Sequence, residues 1–270
     1  MKTSDVTFDG SIPERYDRYL GPALFDPYAR DLAARLPAGA MRVLEVACGT
    51  GIATRHLRAK MPAGARLTAT DLSDGMVAFA GTHLPAPAEG AAVEFRPADA
   101  CALPFADRAY GAVVCQFGVM FVPDKGLCFR EARRVLAPGG TFLFSVWDAL
   151  SANLLTHVVD GAIRALYPVD PPEFYAIPFG FHDDAVIRPL LSDAGFTAIT
   201  RDTVPAVTHS PSAREMATGL VTGTPMATAI RERGTIATDA VLDAVTAALT
   251  ARFGAGPIAA PMRAIVYTAQ

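Results

Sequence analysis

Short apolar runs alternate with amphipathic stretches through the first half of the chain. The run Val43, Leu44 and Val46, interrupted only by Glu45, has the pattern of a strand covered on both faces, as in a parallel sheet. Similar runs predict β1 at 42–46, β2 at 66–70, β3 near 92–96, β4 at 111–115 and β5 at 140–146. The intervening stretches read as helices. Ser73 is a suitable N-cap after β2. Asp124 opens a helix with Leu127, Ala132, Val135 and Leu136 on one face. Arg133 and Arg134 suit the negative end of that helix, and Pro138-Gly139-Gly140 closes it.

Outside this block the rhythm changes. Residues 11–36 look helical, with Tyr16, Tyr19, Leu20, Leu24, Phe25 and Tyr28 in an amphipathic pattern that Pro22 and Pro27 are expected to break into short pieces. After Trp147 come a helical stretch over Leu154–Leu166 and a Pro- and aromatic-rich segment from Tyr167 to Phe181. A helix capped by Asp183 or Asp184 and kinked at Pro189 should then run to Gly195. Strands are expected at 196–204 and 262–268, separated by an insertion over 208–256 whose helix places Val241, Leu242, Val245, Leu249 and Phe253 on one side. No repeat or linker is visible. The expectation is one domain over residues 1–270, with a core of about 37–147, 183–207 and 257–270. A helical lid would come from pieces at about 1–36, 148–182 and 208–256.

The chemistry concentrates where β1 ends. Gly49 and Gly51 follow the strand at once and let the backbone turn sharply and approach a ligand closely. Residues 52–57 can then start a helix whose N-terminus faces the same crevice. A dinucleotide would bring a pyrophosphate here, directly above the Glu45 carboxylate. The dinucleotide fingerprint also requires a third glycine at position 54, which is Thr. An acidic floor suits a cationic ligand, and S-adenosylmethionine is a sulfonium and an ammonium with no phosphate. Twenty positions after Gly51, β2 ends in Asp71, placed to accept from both ribose hydroxyls.

Five blocks resemble the class I S-adenosylmethionine-dependent methyltransferases, in the branch of the ubiquinone/menaquinone C-methyltransferases. They are Val43–Gly51, Ala69–Met76, Pro97–Phe105, Gly111–Pro123 and Glu131–Trp147, in the family's order and spacing. Ala47 departs from the pattern, since many members carry a glycine there. The resemblance implies a Rossmann-like α/β fold: a seven-stranded, mostly parallel sheet with its last strand antiparallel, helices on both faces and helical lid insertions. It further implies that Glu45 lies near the methionine amino group, and that Ala47, Gly49 and Gly51 form the cofactor turn. Leu72 and Met76 would flank the adenine, Asp99 and Ala100 would bind its edge, and Gln116 would line the reacting methyl. Tyr16 and Tyr19 resemble N-terminal tyrosines that cover the cofactor.

Composition narrows the partners. Apolar residues make up 51% and charged residues 19%, enough apolar matter for a large core. A net charge of −3 with no basic run disfavours nucleic acid. The first residues lack an apolar signal core, and the longest apolar stretch, near 111–123, is too short to span a bilayer, so a cytoplasmic setting is expected. Cys48, Cys101, Cys115 and Cys128 form no metal-ligand spacing, and no metal is expected.

A small, apolar or aromatic acceptor is expected, walled by Phe117, Phe121, Trp147, Tyr175 and Phe179, with no basic clamp for an acid. Methylation at carbon, oxygen or nitrogen stays open. His182 and His157 are the candidates for proton removal or substrate contact, with His209 also in a lid segment. Two alternatives remain: a non-catalytic S-adenosylmethionine-binding protein, and an aminopropyltransferase-like enzyme on the same fold. The latter needs an acidic pair after β4, where Gln116-Phe117 stands.

Overall fold

The computed structural model describes residues 12–84 and 91–270. The first eleven residues of the expected N-terminal lid piece lie outside the described residues. Seven strands form one sheet in the order β3-β2-β1-β4-β5-β7-β6. They are β1 (Arg42–Val46), β2 (Arg66–Asp71), β3 (Ala92–Pro97), β4 (Tyr110–Gln116), β5 (Leu136–Trp147), β6 (Ile199–Ser210) and β7 (Ile258–Ala269). β1 to β5 run parallel, whereas β7 is antiparallel to both β5 and β6. The strand order reverses between β1 and β4, so a crevice opens at their carboxyl ends.

The helices are α1 (Ile12–Arg15), α2 (Asp26–Ala34), α3 (Ile52–Lys60), α4 (Asp74–His83) and α5 (Lys125–Val135) in the first half. The second half adds α6 (Leu154–Leu166), α7 (Ala176–Phe179), α8 (Asp184–Asp193), α9 (Ala213–Thr222), α10 (Met226–Arg233) and α11 (Thr238–Phe253). The caps act as their residue types require. Ser73, Asp124 and Asp183 side chains accept from the Met76, Leu127 and Ala185 N–H groups. One layer of the core is aromatic: Phe142 and Phe144 on β5 meet Phe129 of α5, and Phe144 stacks on Tyr267 of β7 at 5.0 Å. These rings are among the largest fully buried side chains.

Two expectations need correction. Pro22 does not break the N-terminal helix. Residues Tyr16–Phe25 are π-helical and continue directly into α2, with the Asp26 N–H donating to the Gly21 carbonyl five residues back. Pro22 lies inside this wider winding, and Pro27 occupies the first turn of α2, where its missing N–H costs nothing. Pro189 lies inside α8, as the expected helix required, and the helix continues to Asp193. The last two strands outrun their expected limits, because β6 and β7 pair from Ile199↔Ala269 out to Ser210↔Ile258. The hairpin therefore takes in residues assigned to the lid insertion and carries Thr208 and Met262 beyond the core sheet.

Candidate active site

A cleft lies at the carboxyl ends of β1 and β4, lined by Tyr16, Phe25, Glu45, Ala47, Gly49 and Gln116 among others. Glu45 is only 1% exposed, and its Oε2 has no hydrogen-bond partner. Burial pushes its carboxyl up to about 8, against an opposing pull from Thr54, and the Asp71 charge adds to the rise. Asp71 closes the turn itself: the Gly49 N–H donates to Oδ2 at 2.8 Å and the Ser73 N–H to Oδ1 at 2.9 Å. Burial raises the Asp71 carboxyl too, while those backbone donors hold it down.

The turn is strained at its non-glycine positions. Ala47 at φ 55° and Phe117 at φ 52° both occupy the left-handed region, at the ends of β1 and β4 respectively. Gly118 fits between them because a Cβ there would fall 2.4 Å from Ala47 Cβ and 2.7 Å from Cys115 Sγ. Ala47 thus stands where a glycine would be unstrained, which accounts physically for the glycine expected there.

The π-helical segment roofs the cleft. Tyr16 stacks on Phe25 with ring centroids 4.6 Å apart and planes 15° from parallel. Gln116 Nε2 donates to the Phe25 carbonyl at 2.8 Å, while its buried Oε1 has no partner. Arg55 of α3 pairs with Asp17 at 2.6 Å and His56 with Asp26 at 2.7 Å, clamping roof to cleft. Burial, then the Asp71 charge, hold the Tyr16 phenol well above its ordinary range.

Behind the roof lies a second, apolar cavity. Tyr16, Phe25, Phe117, Phe121, Trp147, Phe174, Tyr175 and Phe179 face it, together with Asn153, Thr156, Thr208, Thr224 and Met262. Phe117 and Trp147 stack at 4.0 Å, 8° from parallel. Among the described residues, no charged side chain lines it. Tyr16 and Phe25 belong to both spaces and form the wall between them.

Residues 44–144, which carry every strand end of the cleft, match the family described as "Methyltransferase domain". That stretch of the chain is similar to a methyltransferase domain. The chain is 28% identical over 169 residues to the ubiquinone/menaquinone biosynthesis C-methyltransferase UbiE of Pseudomonas aeruginosa, covering 59% of this chain and 66% of that protein. It is 41% identical over 112 residues to the demethylmenaquinone methyltransferase of Thermus thermophilus, covering 42% of this chain and 49% of that one. The chain thus spans 66% and 49% of these two relatives' lengths. In fold it is similar to a phosphoethanolamine N-methyltransferase of Haemonchus contortus solved with S-adenosyl-L-methionine. The TM-score is 0.58 at 15% identity, over 95% of this chain and 56% of that one.

Around this cleft the remaining sequence candidates separate into groups. Met76 is buried, whereas Leu72, just after β2, is 75% exposed. Asp99 is exposed, and its Oδ1 accepts from the Cys101 N–H at 2.8 Å, while Ala100 packs on the core edge. Gly51 caps α3 at φ 84°. All five expected wall aromatics (Phe117, Phe121, Trp147, Tyr175 and Phe179) line the apolar cavity.

Tyr19 is not brought to the cleft. It lies in a separate surface groove with Arg15, Arg18 and Arg214, because three residues of π winding turn it away from Tyr16 and onto α9. Neither histidine candidate reaches the cavity. His157 is exposed on α6, on the face opposite Leu155 and Thr156, and His182 Nδ1 is bonded to the Phe179 carbonyl at 2.8 Å. His209 is exposed on the outer face of β6. Sequence reasoning missed Phe25 and Leu24 as cavity residues, and missed Asn153, Thr208 and Met262 entirely. The helical pattern had marked Phe25 as inward-facing. The hairpin residues carried no such signal.

Proposed function

We propose that this chain binds S-adenosylmethionine in the acid-floored cleft and transfers its methyl group to a neutral, apolar small molecule held in the adjoining aromatic cavity. The observation that carries this reading is the shared Tyr16–Phe25 wall, which leaves only two stacked rings between the two spaces. The cleft fits the cofactor on its own evidence. Glu45 is a buried acid with an unpartnered oxygen, beside a second acid, and such a pair needs a cation rather than a phosphate. Leu72 and Met76 supply apolar surface for the adenine, and Asp99 with Ala100 its polar edge.

When bound, the sulfonium supplies an electrophilic methyl carbon. The work left to the protein is alignment and exclusion of water. Glu45 would hold the ammonium and Asp71 the ribose, while Tyr16 covers the cleft from the roof. Gln116 Oε1 would meet polar hydrogens near the junction of cleft and cavity. Phe117, Trp147, Phe121, Tyr175 and Phe179 would hold the acceptor by stacking. Among the described residues, the cavity wall offers hydroxyls and one amide but no acid, imidazole or amine. A proton released by the acceptor would then leave to solvent as the product departs rather than pass to a wall side chain.

The uncharged wall also argues against an aminopropyl acceptor, since a diamine needs carboxylates. The four cysteines are unpaired, and no described helix is long and apolar enough to cross a membrane, in keeping with the cytoplasmic setting we favour. S-adenosylhomocysteine formation across neutral phenols, quinols and amines tests the activity. Turnover with at least one neutral aromatic acceptor is expected. Tight cofactor binding without turnover on any of them would leave a cofactor-binding protein instead.

A further inference from the structure

Thr208 is fully buried on the β6–β7 hairpin, and its Oγ1 has no hydrogen-bond partner although the residue faces the apolar cavity. Of the other polar groups of that wall, Tyr175, Thr224 and Asn153 are committed to the protein. Tyr175 Oη and Thr224 Oγ1 both donate to the Leu220 carbonyl, at 3.1 and 2.8 Å. Asn153 donates to three carbonyls and accepts from the Arg263 N–H, which anchors α6 to β7. An unpartnered buried hydroxyl costs stability, and a valine of the same shape would avoid that cost. The hydroxyl is therefore best explained by a ligand.

We propose that Thr208 is the specificity contact of the acceptor cavity, and that the acceptor is an uncharged hydrophobic molecule whose single hydroxyl or carbonyl bonds to Thr208 Oγ1. This rests on the reading of the cavity as the acceptor site. A threonine hydroxyl both donates and accepts, so it can serve either group. A carboxylate or ammonium is excluded on energetic grounds, because the described wall holds no counter-charge and ionised groups are costly to bury alone.

The test is calorimetric titration of the whole chain with 2-naphthol, naphthalene and 2-naphthoate, on the wild type, Thr208→Val and Thr208→Ser. The wild type should prefer 2-naphthol over naphthalene by about five- to tenfold, the range of one neutral hydrogen bond. Thr208→Val should lose that preference while melting no lower than the wild type, and Thr208→Ser should keep it. If Thr208→Val does not fold, Thr208→Ala carries the same comparison. Retention of the preference without the hydroxyl overturns the role of Thr208 and leaves the proposed function standing. Binding of 2-naphthoate as tightly as 2-naphthol overturns the uncharged class. Failure of both neutral probes to bind a chain that still binds S-adenosylmethionine overturns the cavity as acceptor site, and this inference with it.

Discussion

Tyr16 and Phe25 stack face to face although they lie nine residues apart on one continuous helix. In an α-helix nine residues make two and a half turns, which would put the two rings on opposite sides. The wider π turn brings nine residues close to two full turns, and the rings meet. The register of this segment thus builds the wall between cleft and cavity, and Gln116 fixes it by holding the Phe25 carbonyl.

Removing the Phe25 ring should join the two spaces. Phe25→Ala is expected to lower stability by about 3–5 kcal/mol, the usual cost for a buried aromatic. Trp147, the chain's single tryptophan, lies 6.1 Å from that ring and lines the same cavity. Its fluorescence should shift to the red as water enters, and an unshifted spectrum would contradict a wall role for Phe25.

Ala47→Gly should stabilise the protein by about 1–2 kcal/mol, since the residue is held in the left-handed region where a Cβ is penalised. Gly118→Ala should destabilise it, because the added Cβ meets Ala47 Cβ and Cys115 Sγ. The two changes together should cost less than the sum of the separate effects, since Ala47→Gly removes one of the two clashes. Denaturant unfolding of the four proteins reads the coupling.

Glu45 makes both stability and binding depend on pH. Its carboxyl ionises near 4.5 when the chain is unfolded and near 8 when folded without ligand. The folded state therefore holds the proton more tightly. This contribution is complete below about pH 4.5 and fades as pH rises through 8. A cationic ligand prefers the ionised form, so affinity for S-adenosylmethionine should rise towards pH 8 and then level off, with proton release on binding below that point. Calorimetry in buffers of different ionisation enthalpy measures the protons released. Glu45→Gln should abolish the release and weaken binding by about ten- to a hundredfold.

The cofactor half of the site was legible because its chemistry sits at strand ends. β1, β2 and β4 announce themselves as apolar runs, and Glu45, Asp71 and Gln116 are the polar residues at or next to their carboxyl ends. The cavity was legible only as a list of aromatics. What encloses them is a π register and an overlong hairpin, and neither has a periodic signature. Pro22 looked like a breaker because the sequence was read with α-helical spacing. Pro205 and Pro261 disguised the outer hairpin, which pairs across both. The histidines were chosen for their chemistry and their place in lid segments, and their orientation depends on packing that periodicity does not reveal.

The central claim is that two buried acids select a sulfonium over a pyrophosphate. Calorimetric titration of the whole chain with S-adenosylmethionine and with NAD, on the wild type and on Asp71→Ala, tests it most directly. We predict saturable binding of S-adenosylmethionine alone, weakened at least tenfold by the substitution, on the scale of a lost charged hydrogen bond. Equal or tighter binding of NAD, or an Asp71→Ala protein with undiminished affinity for S-adenosylmethionine, would contradict it.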